Sequence, residues 1–159
     1  MPRPRRSANP VDALIGIAPL VSRWIERVLA RAKPPLTPAQ FLALRAIAAG
    51  PVTAAELARS AGVSGAAVSQ LVAALERAGW IQRSPAPDDR RRQALALTPA
   101  GLRVYRSATA LLHGRLGDLL AAVPRREAEQ LARVLDRLED VLGGAPPPPP
   151  RPPPPPRRP

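Results

Sequence analysis

The chain has 159 residues, 24 lysines and arginines against 12 aspartates and glutamates, a net charge of +12 and no cysteine. That length suits one domain with a modest core, and the lack of cysteine excludes disulfides, thiolate metal sites and thiol-based redox sensing within it. Arg3, Arg5, Arg6, Arg151, Arg157 and Arg158 hold six of the positive charges at the two ends, and the +6 left on residues 11–144 favours a polyanionic partner, nucleic acid first.

Residues 1–10 read as a disordered basic N-terminus. Arg5 and Arg6 ahead of the apolar run Val11 to Val21 have the outline of a secretory or twin-arginine signal, yet Asp12 interrupts the run and no small-residue cleavage site follows. Leu14, Ile17, Val21, Trp24 and Val28 instead continue at helical spacing, which predicts a first helix from about Val11 to Ala32. Pro19 is expected to kink or divide it, and Lys33-Pro34-Pro35 to break it. No stretch has the uncharged length needed to span a bilayer, so the chain reads as cytoplasmic, with no membrane partner.

Thr37 with Pro38 at the first helical position starts a second helix to about Ala49, with Phe41, Leu42, Leu44 and Ile47 mostly buried. Thr53 and Glu56 form a capping box for a third helix, which Gly62 ends. Ser64 caps a fourth, whose apolar positions Val68, Leu71, Val72 and Leu75 leave Ser69, Gln70, Ala73 and Arg77 on other faces, and Gly79 closes it. Trp80 to Arg83, a Pro/Asp turn and Gln93 to Thr98 predict two strands around a loop rich in arginine. Two short helices, a tight turn and a basic hairpin in that order describe a winged helix-turn-helix. The fold class is therefore mainly α with a small β-wing, the core flanked by N- and C-terminal helices.

Thr98-Pro99 repeats the cap-and-proline device and opens a long helix with Val104, Ala108, Leu111, Leu112, Leu116 and Leu119 apolar. Pro124 begins the last helix, to Leu142, with Leu131, Leu135, Leu138 and Leu142 in one seam before Gly143-Gly144 stops it. The first, fifth and sixth helices present more apolar surface than an isolated small domain covers, which predicts a homodimer held through Leu14, Ile17, Val21, Leu131, Leu135 and Leu138. The domain spans 11–142, with a DNA-binding core at 37–101 and dimerisation helices at 11–33 and 102–142. Residues 143–159, almost all proline with three arginines, read as a disordered, extended tail.

Catalysis finds little support. His113, the lone histidine, sits in a leucine-rich helix with no serine or carboxylate at a relay or metal spacing, and Gly114 and Gly117 lack the lysine of a phosphate loop. The chain reads as a protein without cofactor or metal, and not as an enzyme. Trp24, Phe41, Tyr105 and His113 either fill the core or line a ligand cavity.

Leu36-Thr37-Pro38-Ala39-Gln40-Phe41, Glu56-Leu57-Ala58, Val68 through Gly79, and Asp89-Arg90-Arg91 leading into Leu97-Thr98-Pro99-Ala100-Gly101 resemble the multiple-antibiotic-resistance regulator (MarR) family, from about Val11 to Leu142. The resemblance implies a homodimeric bacterial transcription regulator, usually a repressor on a palindromic operator. It also implies a small, often phenolic or anionic effector held between the dimerisation helices and the winged core. The fourth helix would enter the major groove with Ser64, Ser69 and Gln70 on its exposed face, Gln70 reading an adenine edge. That helix is poorer in polar groups than is usual in the family, and Gln70 stands where arginine is common. Arg83, Arg90, Arg91 and Arg92 surround the wing turn, and the resemblance assigns Asp89 to orient Arg91 into the minor groove. The alternative function is a winged protein-interaction module without specific DNA binding, which would have no need of four arginines around one hairpin.

Overall fold

Side-chain caps set where most of the helices begin. The computed structural model describes residues 9–85 and 93–144; the basic segment 1–8, the wing tip with Asp89, Arg90, Arg91 and Arg92, and the tail 145–159 lie outside the described residues. Helix α1 (Pro10–Leu29) starts where the Asn9 side chain accepts from the Val11 N–H. Helices α2 (Pro38–Ala49) and α3 (Ala54–Ala61) each open with a reciprocal box: Thr37 with Gln40, and Thr53 with Glu56. Each box satisfies two backbone donors at a helix start. Ser64 caps α4 (Gly65–Arg77), and Thr98 Oγ1 accepts from the Gly101 N–H at the start of α5 (Pro99–Leu120).

The left-handed conformation is needed at two places. Gly62 (φ 63°) turns the chain between α3 and α4, and Gly79 (φ 72°) turns it out of α4 into the hairpin. A Cβ would be strained at either, so glycine supplies both turns. Strands β1 (Ile81–Pro85) and β2 (Gln93–Leu97) pair antiparallel, with Ile81 opposite Leu97 and Pro85 opposite Gln93. Val52 adds an isolated bridge to Leu95, whose N–H donates to the Val52 carbonyl at 2.8 Å. That bridge ties the chain just before α3 to the wing.

The described residues fall into two compact units, one up to Leu119 and the other from Leu120. In the first, Leu29, Leu44, Leu75, Leu95, Val68 and Val72 are fully buried in one apolar cluster drawn from α1, α2, α4 and β2. In the second, α6 (Arg125–Gly144) carries no buried residue among those described. Among the described residues, no helix is long and apolar enough to cross a membrane.

Three sequence expectations change. Helix α1 ends at Leu29 rather than near Ala32; it runs undivided through Pro19, within the kink-or-divide expectation. Residues 11–21 are all exposed, so water can reach the backbone where the proline leaves a carbonyl without its helical partner. Leu42, expected in the core, is 57% exposed. Gly143 and Gly144 continue α6 instead of stopping it.

Candidate nucleic-acid interface and ligand cavity

The turn at Gly62 and the cap at Ser64 aim α4. Val68, Val72 and Leu75 enter the core, which leaves Ser69 and Gln70 side by side on the exposed face among Ala66, Ala67 and Ala73. Ser64 Oγ accepts from the Ala67 N–H at 3.2 Å, so this hydroxyl holds the helix start and keeps its own hydrogen for a donor role.

Across the hairpin, Arg83 Nε donates to Glu76 Oε1 at 2.8 Å and a second guanidinium nitrogen approaches Glu76 Oε2 at 3.4 Å. The pair is partly solvated and contributes roughly 0 to 1 kcal/mol to stability. Its consequence is geometric, because it holds the first arginine of the wing against the last turn of α4. Sequence reasoning missed Glu76: seven positions and a turn separate it from Arg83, and neither helical nor strand spacing links such a pair. Asp89, Arg90, Arg91 and Arg92 lie outside the described residues.

A cavity of about 700 Å³ lies between α1, α2 and α5. Helix α1 contributes Ser22, Arg23, Ile25 and Glu26, and α2 contributes Pro38, Phe41, Leu42 and Arg45. Helix α5 completes it with Tyr105, Thr109, Leu112, His113 and Leu116. Leu42 is thus exposed because it faces this space. The rings of Phe41 and Tyr105 meet with centroids 5.9 Å apart, tilted by 33°, within the range of favourable aromatic pairs. Three of the four residues expected around a cavity come together here: Phe41, Tyr105 and His113. Trp24 is not among the lining residues; it is half-buried and packs on the core cluster, as Phe41 and Tyr105 also do from the cavity wall. The wall has a polar member that periodicity gave no hint of, since Thr109 Oγ1 is buried without a hydrogen-bond partner.

The residues expected to hold a dimer are mostly uncovered. On α1, Leu14, Ile17 and Val21 are exposed, together with Val11, Ile15 and Leu20. On α6, Leu131 and Leu135 are exposed and Leu138 is half-buried.

A family model described as the MarR family matches residues 35–92, from just before α2 to just before β2. An uncharacterised HTH-type transcriptional regulator of Bacillus subtilis, YcgE, is 31% identical over 94 residues, or 59% of this chain and 61% of that one. The chain thus spans about three fifths of the length of the curated relative it matches. A probable transcriptional regulator from Pseudomonas aeruginosa is 30% identical, with a TM-score of 0.64 over 82% of this chain and 99% of that one. CouR from Rhodococcus jostii RHA1, solved bound to p-coumaroyl-CoA, shares the fold at 21% identity and a TM-score of 0.71, over 87% of this chain and 95% of that one. The matched segment contains both helices of the turn and the first strand of the hairpin, ending just before β2, and the likeness of fold extends through the flanking helices. The chain belongs to the MarR family of winged helix-turn-helix proteins.

Proposed function

We propose that the chain is a sequence-specific DNA-binding transcription regulator that acts as a homodimer, and that a small ligand lowers its affinity for DNA, so that it works as a repressor. The observation that carries this reading is the exposed pair Ser69 and Gln70 on α4, presented by a glycine turn beside a hairpin whose outer loop is arginine-rich in sequence. A helix so presented fits the major groove, where a glutamine amide pairs bidentately with adenine. The alanines around it suit thymine methyl groups, and Arg91 of the wing suits the narrow minor groove of A-rich DNA. Such a protein works in the bacterial cytoplasm, through binding rather than catalysis.

The uncovered apolar rows on α1 and α6 support the dimer, because contiguous exposed leucine, isoleucine and valine mark an interaction surface. A second copy of the chain would cover them, and a two-fold axis would set two recognition helices roughly 34 Å apart, matching a palindromic operator. The cavity supports the ligand: its volume of about 700 Å³ suits a small organic molecule. CouR, of the same fold, was solved with p-coumaroyl-CoA bound. Induction requires the ligand to prefer the arrangement that cannot hold DNA, and about 1.4 kcal/mol of coupling suffices for a tenfold loss of operator affinity.

Mobility shift on the duplex upstream of the chain's own gene, with and without salicylate and other aromatic acids, tests the whole reading. Retarded complexes that an aromatic acid dissolves are expected. A chain that retards no duplex at 50 mM salt would contradict it.

A further inference from the structure

We infer that Thr109 sets the ligand specificity of the cavity, by seating a hydrogen-bonding substituent on the ring of an aromatic acid; this rests on the cavity being the effector site. Among the described residues, Thr109 Oγ1 is the one buried side-chain polar atom without a hydrogen-bond partner, and Thr109 is a wall residue of the cavity. Other hydroxyls are engaged: Ser60 donates to the Leu57 carbonyl at 3.1 Å, and those of Thr37, Thr53, Ser64 and Thr98 serve as helix caps. A threonine within a helix ordinarily returns its hydroxyl to a carbonyl one turn back. Thr109 does not, so the desolvation of its hydroxyl goes uncompensated by any protein group. A ligand group that meets the hydroxyl recovers that loss on binding, which is how a polar contact in an apolar pocket discriminates between ligands.

The surrounding wall describes the rest of the ligand. Tyr105, one turn earlier on α5, and Phe41 offer aromatic surface, and Leu112 adds an apolar patch. Arg23 and Arg45 outnumber the single carboxylate of Glu26, which favours an anion. A flat ring bearing one anionic group and one hydroxyl matches all three features. Because Oγ1 is closed to solvent, engagement goes with a χ1 rotation that exchanges hydroxyl and methyl, between two rotamers open to a helical threonine.

The test compares wild type, Thr109→Val and Thr109→Ser. Each is titrated calorimetrically with benzoate and its three monohydroxy isomers, and melted without ligand. At least one hydroxybenzoate is expected to bind wild type and Thr109→Ser about three- to tenfold tighter than benzoate does. Thr109→Val should bind both alike, retain its benzoate affinity, and melt about 2–4 °C higher because an unmet buried hydroxyl is gone. Retention of the preference in Thr109→Val, a lower melting point for it, or no preference in wild type would overturn the role of Thr109 while leaving the cavity an effector site. Failure of every acid to bind wild type would overturn the effector reading and this assignment with it.

Discussion

The Thr98 hydroxyl donates to the Gly79 carbonyl across 2.6 Å, joining the residue that caps α5 to the residue that ends α4. The Thr98 N–H donates to the Trp80 carbonyl at 3.0 Å, and Gly101 lies flush against that same carbonyl group. The C-terminal end of α4 and the N-terminal end of α5 are thereby fastened at three points. Tyr105, Thr109, Leu112 and His113, which wall the cavity, lie farther along the same α5. In the proposed mechanism a ligand that displaces α5 therefore displaces α4 too, through a rigid joint and not a slack loop.

Thr98→Val removes both the bond to Gly79 and the cap on Gly101. A loss of about 1–2 kcal/mol in urea denaturation is expected, and Thr98→Ser should recover most of it. Equal stability of Thr98→Val and wild type would show that the joint contributes nothing.

Gly101→Ala is the harsher change at the same joint. The added Cβ would overlap the Trp80 carbonyl carbon and oxygen, which are backbone and cannot swing aside. Destabilisation at the upper end of the roughly 1–3 kcal/mol typical of overpacking is expected, read from the denaturation midpoint. Alanine is otherwise the better helix former, so an unchanged or raised midpoint would mean that the close approach is absent in solution.

Much of this architecture was legible because it is local. Thr37 with Pro38, Thr53 with Glu56, and the glycines at 62 and 79 are signals within four residues of the helix start or turn they make, and each makes the one expected. The rest depends on distant partners. Helix α2 is apolar on nearly every face, so periodicity could not tell that Leu42 faces a cavity while Leu44 enters the core. Side-chain type alone leaves Trp24 between core and cavity, and only packing places it on the core and off the cavity wall. Glu76 beside Arg83 and the Thr98 contact with Gly79 bridge a turn and a hairpin, where spacing carries no information.

The uncovered leucines give a clean test of the dimer. Leu131 and Leu135 are 41% and 51% exposed in the single chain, so Asp at both disturbs little of the protomer's own packing. The double variant should keep its helical circular dichroism and run as a monomer in light scattering, because a dimer would bury two carboxylates without partners. A dimer of unchanged mass would exclude α6 from the interface.

Wing and recognition helix should fail differently. Arg91→Ala should weaken binding to every duplex and lower the slope of log K against log salt by about 0.9, the share of one phosphate-region contact. Arg83→Ala should do less, since its guanidinium is held by Glu76. Gln70→Ala should cost roughly 1–3 kcal/mol on the preferred site only. Equal losses on specific and random duplexes would remove Gln70 from base readout.

Sequence-specific DNA binding by a dimer is read out by competition fluorescence anisotropy at 150 mM salt, with a duplex selected from a random pool against unselected duplex. Two chains per duplex are expected, with a specific affinity at least about 10³ times the non-specific one and loss of most of that ratio in Gln70→Ala. A chain that enriches no sequence and binds every duplex alike would contradict it.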